Sequence, residues 1–351
     1  MLIFILILAV TACIGLHFAP RGGFMTDYIS PKTSCAVNGI FTVMVFFSHA
    51  VQYINTDGVA DIPYIALKNH LGQMIVVTFL FYSGYGIMES IKKKGTPYVK
   101  DIPFKRFFKV FYHMAVAVVL YIILNLILGR KYSLTTTLLA FTGWKSIGNS
   151  NWYIFAVLVL YAITFVSFMI FRKNHYLAVS LVTVFTLVYV VVLMVTDTPS
   201  WYYNTAILFA AGMWYSLLRK YIEKAVMKND LIYFTALCGA VILYILFYLN
   251  KGRGIEWYTV WAALFMALIL LITMKVKIGN SVLMWFGSHV FSVYILQRIP
   301  MITLKHFGLN ESHKYAFVII SFCVTIMLAV IFDGGIKKLD SLIYERKNIK
   351  E

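Results

Sequence analysis

The sequence predicts an all-α polytopic membrane protein with about eleven transmembrane helices, and three observations carry that prediction. Hydrophobic residues make up 61% of the 351, and charged residues only 13%, about half the ~25% usual in a soluble domain. Uncharged runs near the ~20 residues that cross a bilayer core recur along the whole chain. The Lys and Arg behind the net charge of +17 cluster in short loops between those runs. That is a topology signal, and no nucleic-acid partner is expected from it.

The candidate spans lie at 2–19, 35–54, 71–90, 110–129, 152–171, 176–195, 203–218, 231–249, 257–274, 285–303 and 315–333. The first lacks a basic start and a clean small-residue cleavage site, so it reads as a retained helix. The segment 92–109, "KKKGTPYVKDIPFKRFFK", is the most basic and is expected in the cytoplasm. Counting helices from it also puts 172–175, 219–228, 275–277 and the tail 337–350 inside. Segments 55–70, 130–151, 196–202, 250–256 and 304–314 fall outside. The N-terminus is then outside and the C-terminus cytoplasmic. Cys13, Cys35, Cys238 and Cys323 all lie in apolar runs without ligand spacing, so neither a disulfide nor a metal site is expected.

Within the second span, "VFFSHAVQYI" carries His49. It lies about 15 residues into its helix, roughly 22 Å at 1.5 Å per residue, in the outer half of the membrane. An imidazole there either bonds a neighbouring helix or interfacial water, or acts as a general base in a partly wet pocket. "FLFYSGYG" brings Ser83, Gly84, Tyr85 and Gly86 into an apolar helix, for close helix packing or for a thinned wall beside a channel. Lys105, Arg106 and Lys109 straddle the start of the next helix. They either anchor the inner interface or bind phosphate with the help of a helix N-terminus. The external "TGWKSIGNSNWYIF" combines Trp144, Asn149, Asn151, Trp152 and Tyr153; this is an interfacial aromatic belt or a sugar site. His289, in "WFGSHVFSVYILQRIP", reads as a residue near the cytoplasmic surface. Of fourteen acidic residues only Glu89 and Asp333 fall within spans, near their cytoplasmic ends; an ion-coupled transporter would place carboxylates near the midplane.

Taken in order, "NGIFTVMVFFSHA", "FLFYSGYG", "KRFFK" and "FGSHVFSVYILQ" resemble the acyltransferase family 3 proteins over about residues 30–335. The resemblance implies a ten-helix membrane domain (31–335), with 1–30 an added helix and loop and 336–351 a basic cytoplasmic tail. It implies a multi-pass protein of the plasma membrane in a bacterial cell envelope. The implied activity is O-acylation, most often O-acetylation, of a polysaccharide or other surface glycan from cytoplasmic acyl-CoA (acetyl-CoA). His49 takes the place of the family's catalytic histidine. Lys105, Arg106 and Lys109 take that of its basic motif. The family usually carries Arg or Lys eleven residues before the histidine; here that residue is Asn38, which can donate a hydrogen bond but cannot pair a charge. Asn38 is still expected near the donor, and Asn151, Trp152, Tyr153 and Tyr85 near the glycan. The alternative reading is a polysaccharide flippase, export channel or polymerase without acyl transfer.

Overall fold

The structure is a computed structural model that describes residues 1–348, with side chains through Ile343. Residues 349–351 of the expected cytoplasmic tail lie outside the described residues. The helices, in chain order, are α1 (Leu2–Cys13), α2 (Pro31–Ala50), α3 (Ile62–Leu71), α4 (Met74–Lys94), α5 (Thr96–Asp101), α6 (Lys109–Ile127), α7 (Leu134–Ala140), α8 (Trp152–Ile170), α9 (His175–Val195), α10 (Ile207–Val226), α11 (Asp230–Asn250), α12 (Ile255–Lys275), α13 (Ser281–Ser288), α14 (Val290–Leu296), α15 (Arg298–His306), α16 (Leu309–Ser312) and α17 (Lys314–Asn348). Their starts follow local chemistry. Ser30 caps α2 through Thr33 N at 3.2 Å, with Pro31 opening the helix, and Asn174, Asn229 and Asn280 cap α9, α11 and α13.

Eight helices are long and apolar enough to cross a membrane: Pro31–Ala50, Met74–Lys94, Thr96–Ile127, Trp152–Ile170, His175–Val195, Asp230–Asn250, Ile255–Lys275 and Lys314–Ile343. The chain is therefore an all-α polytopic membrane protein. The other three expected spans differ in detail. Span 2–19 is helical only over the 12 residues of α1, and His17–Phe18 instead pairs antiparallel with Val276–Lys277. The 20-residue α10 ends in Arg219, Lys220, Glu223 and Lys224. Segment 285–303 is broken into α13, α14 and α15. Pro300 has no amide to bond Leu296, the last residue of α14, so the helix cannot run through. Irregular backbone at such a depth is tolerated where it lines a cavity. At the other end, α17 continues unbroken past residue 335.

Among the described residues, the bonds that tie the loops fall into two groups. At one end Asn310 donates to Tyr53 O, Lys314 pairs with Asp61, Asn125 donates to Ile147 O, and Asn151 bonds Tyr202. At the other end Lys92 donates to Ser216 O, Lys275 pairs with Asp230, Lys277 pairs with Asp27, and His113 meets Asp340. This is the partition that the helix count predicts. Its absolute direction is testable. In a cysteine-free background, single cysteines at the exposed Lys94 and Lys145 are expected to react with an impermeant maleimide from opposite sides of the membrane, Lys94 from inside. Labelling of both from one side contradicts the helix count.

Two helix pairs pack through glycines. A Cβ on Gly84 would lie 1.9 Å from Phe209 O and one on Gly212 2.1 Å from Phe81 O, which brings α4 and α10 into backbone contact. Gly39 and Gly287 do the same for α2 and α13, against Leu283 O and Cys35 O. Gly84 thus serves close packing, the first of its two readings. The Gly39 and Gly287 contacts fix the helix that carries His49 against α13, the first piece of the broken segment that carries Tyr294 and Arg298.

Candidate functional site

His49 stands in the last turn of α2 and faces a cavity of ≈ 920 Å³. The walls come from six parts of the chain: Ser48 of α2 with Gln52 just beyond that helix, Lys68 and Asn69 of α3, Gln73 and Val76 at the start of α4, the 146–152 loop, Trp201, and Tyr294 with Arg298 at the break of the late helix. The cavity lies at the bundle end opposite the basic segment 92–109.

Five polar atoms in this wall are buried with no hydrogen-bond partner in the protein: His49 Nδ1, Asn149 Nδ2, Ser150 Oγ, the Tyr294 hydroxyl and Arg298 Nε. A buried polar atom without a partner costs about 1–3 kcal/mol, and such atoms are rare in folded proteins. Five such atoms belong to residues that line this one cavity. The His49 and Tyr294 rings lie 6.1 Å apart.

The loop over the cavity is held rigidly. Ser146 Oγ donates to Asn149 O at 2.6 Å, Ile147 N donates to Asn149 Oδ1 at 3.1 Å, and Asn125 Nδ2 donates to Ile147 O at 2.8 Å. Gly148, at φ +112°, lets the chain turn above Tyr121 and Ile302. Asn151 lines the cavity, but its amide protons already reach Gly143 O at 2.8 Å and the Tyr202 hydroxyl at 3.0 Å, so only its Oδ1 is left for a guest. Trp152 and Trp201 add aromatic faces to the wall. Tyr153 is half-buried and does not line the cavity, its ring 5.8 Å from that of Tyr294 and 6.1 Å from that of Phe79.

Tyr85 does not line this cavity. It lies eleven residues along α4, roughly 16 Å from its start, and accepts a hydrogen bond from Arg219 at 3.0 Å. Arg219 also bonds Glu223 and sits over the Tyr28 ring at 5.3 Å. His70, close in sequence to Lys68, turns away from the cavity: Nε2 lies 2.8 Å from the Tyr244 hydroxyl and the ring packs 4.3 Å from that of Tyr248. Burial, then the charge of Lys251, holds its imidazole below the usual histidine range. His289 is half-buried at the break between α13 and α14, stacked 4.2 Å from Trp285, with Nε2 3.5 Å from Asp333.

The basic motif lies at the other end of the bundle. Its helix starts at Thr96 and runs unbroken to Ile127, with a π-helical turn over Ile102–Phe108. Lys105, Arg106 and Lys109 are thus inside a helix, and the expected help from helix N-terminal amides does not apply to them. Lys105 pairs with Asp101 at 2.7 Å and Lys109 with Asp340 at 2.7 Å. Arg106 is exposed and donates to the Tyr98 hydroxyl at 3.1 Å. Asn38 Oδ1 is buried without a hydrogen-bond partner, and Lys32, the nearest cation in its helix, is exposed in the first turn.

Among the site residues that sequence reading missed, Arg298 is the one with a guanidinium. Its guanidinium donates to Gln52 Oε1 at 2.9 Å and to the Tyr53 hydroxyl at 3.2 Å. The signal was present: an arginine inside the apolar run "VYILQRIPM" is an intramembrane charge, which is costly unless it serves a site.

A bundle of apolar helices around a polar cavity, with an imidazole and a guanidinium in its wall, defines a membrane-embedded protein that handles a polar molecule at the bundle end. The family model described as "Acyltransferase domain" matches residues 36–334, and the chain belongs to that acyltransferase family. It is a multi-pass membrane acyltransferase. No curated protein and no solved structure matches it. Family membership favours chemistry over the export-channel and polymerase readings.

Proposed function

We propose that the protein transfers an acyl group, most simply acetyl, from cytoplasmic acyl-CoA to a hydroxyl of a glycan on the outer side of the plasma membrane, with His49 as the general base. The observation that carries this reading is the convergence of His49, Tyr294, Arg298, Asn149 and Ser150, each with an unpartnered buried polar atom, on one cavity. The glycan hydroxyl enters this cavity between Trp152 and Trp201, and the thioester reaches it from the bundle interior. His49 removes the hydroxyl proton as its oxygen attacks the thioester carbonyl. Arg298 stabilises the oxyanion that forms, in a site where low dielectric strengthens such contacts. Collapse of the tetrahedral intermediate breaks the C–S bond. The leaving thiolate takes the proton from His49, so the products are the O-acyl ester and free CoA thiol.

The donor side has its own support. Further buried polar atoms without protein partners lie on α2, α4 and α6: Asn38 Oδ1, the Thr78 and Tyr82 hydroxyls and the Tyr112 hydroxyl. An arm with amide groups, such as the pantetheine of CoA, matches polar atoms distributed through an apolar bundle. At the inner end the CoA phosphates meet Arg106, with Lys105 and Lys109 adding charge beside their carboxylate partners. Arg106→Ala is expected to raise KM for acyl-CoA about 10-fold through loss of one charge-assisted contact. Lys105→Ala is expected to change it less, because Asp101 already holds that ammonium. Steady-state kinetics with purified protein checks both, and equal KM values for all variants would reduce the motif to a topology signal.

The reading as a whole is tested with reconstituted protein. Acyl-CoA and a glycan acceptor are supplied on opposite faces of the vesicle, and O-acyl glycan is sought by mass spectrometry. Product formed only when acyl-CoA is on the face of Lys94 supports it; no product from either side argues against it.

A further inference from the structure

A second pocket, of ≈ 410 Å³, opens beside the His49 cavity and shares Ser146 and Arg298 with it. Its wall holds four basic side chains, Arg130, Arg298, Lys305 and His306, and no acidic one. Arg298 and Lys305 are seven residues apart on α15, hence on one face, and both lie 6.0 Å from the centroid of the Tyr53 ring. Among the described residues neither Arg130 nor Lys305 has an ion pair. Their neighbour Lys314, at the same end of the bundle, is paired with Asp61.

Topology does not account for this cluster. The positive-inside rule gathers Lys and Arg at the other end of the bundle, around 92–109. Like charges around one pocket repel one another unless an anion or solvent compensates them. A guanidinium presents a planar fork that fits carboxylate and phosphate alike.

The geometry points to an anionic acceptor glycan, one whose carboxylate or phosphate docks among Arg130, Arg298 and Lys305 while a neighbouring hydroxyl reaches His49. This inference rests on the acyl-transfer reading of the His49 cavity and narrows its substrate to acidic glycans. Arg298, in the wall of both pockets, couples the anion to the reacting hydroxyl. Neutral polysaccharides would fill the same cavity without this anchor.

Binding tests the inference separately from catalysis. The full chain in nanodiscs of zwitterionic phosphatidylcholine is titrated, without acyl-CoA, with a galacturonate hexamer, a ribitol phosphate hexamer and the neutral maltohexaose. At least one acidic oligomer is expected to bind about 10-fold or more tighter than maltohexaose, with the advantage shrinking as salt rises. Arg130→Gln with Lys305→Gln is expected to remove that advantage, and each single variant, kept in case the pair fails to fold, to reduce it. Gel filtration and thermal melting establish that the variants are intact. Equal binding of acidic and neutral oligomers overturns the inference, as does an advantage that survives in the variants. Loss of oligomer binding in phosphatidylglycerol nanodiscs also overturns it, because a lipid headgroup is then the pocket's occupant. Since no acyl-CoA is present, a failed base assignment for His49 leaves these outcomes unchanged.

Discussion

His49→Ala is expected to lower acyl transfer by about 10²–10⁴-fold, the usual contribution of a positioned general base, while protein level and membrane insertion stay near normal. The imidazole is at the end of α2 with Nδ1 buried and unpartnered, so its removal breaks no hydrogen bond through that nitrogen. His49→Gln separates chemistry from packing. Glutamine keeps a hydrogen-bonding side chain of similar reach but cannot accept and return the proton. If His49 only fills space and bonds a neighbour, glutamine restores activity. If it is the base, glutamine is as inactive as alanine. The measurement is acyl transfer to glycan under saturating acyl-CoA, and near-normal turnover by His49→Gln would falsify the assignment.

Arg298→Met is expected to lower kcat by about 10²–10³-fold, the range seen when one oxyanion donor is removed, with KM for acyl-CoA little changed. Methionine keeps the apolar length of the side chain and removes the fork. A structural role makes a different prediction. Arg298 also holds Gln52 and Tyr53, and if that is its purpose, Gln52→Ala and Tyr53→Phe should lose activity to the same degree. On the oxyanion reading those two variants retain most of kcat. Arg298→Lys is informative as well, since a lysine keeps the charge but not the planar pair of donors. It should recover part of the lost kcat.

The two ends of the bundle were legible to different degrees. At the His49 end, three signals were local and survived folding: an imidazole late in an apolar span, and Asn151 and Trp152 just before the next one. The structure brings all three to one cavity. Tyr85 was grouped with them because Tyr and Gly interrupted an apolar helix, but the spacing along α4 puts it about three turns away, beside Arg219. Tyr153 is adjacent to Trp152 in sequence and still does not line the cavity, because neighbouring helical residues face different directions. At the basic end, Lys105, Arg106 and Lys109 looked alike. Only their partners distinguish them: Asp101 is four residues from Lys105, whereas Asp340, the partner of Lys109, comes from the far end of the chain.

By itself the sequence determined the class of protein, the positions of eight of its spanning helices and the sorting of its loops into two faces, because these depend on local quantities: apolar length, caps, and the clustering of basic residues between spans. Family resemblance added the expected role of His49. The tertiary structure alone decided that Arg298 and Tyr294 face the same space as His49, that Asn149 and Ser150 close it, and that Arg130 and Lys305 meet beside it. Those residues lie on segments far apart in the chain, from His49 to Lys305, and no periodicity links them. They converge because glycines draw α2 against α13, the break before Pro300 turns Arg298 into the cavity, and a hydrogen-bonded loop closes over it. Each of these is a packing constraint between distant segments, set by which surfaces can approach closely and which backbone cannot continue as helix.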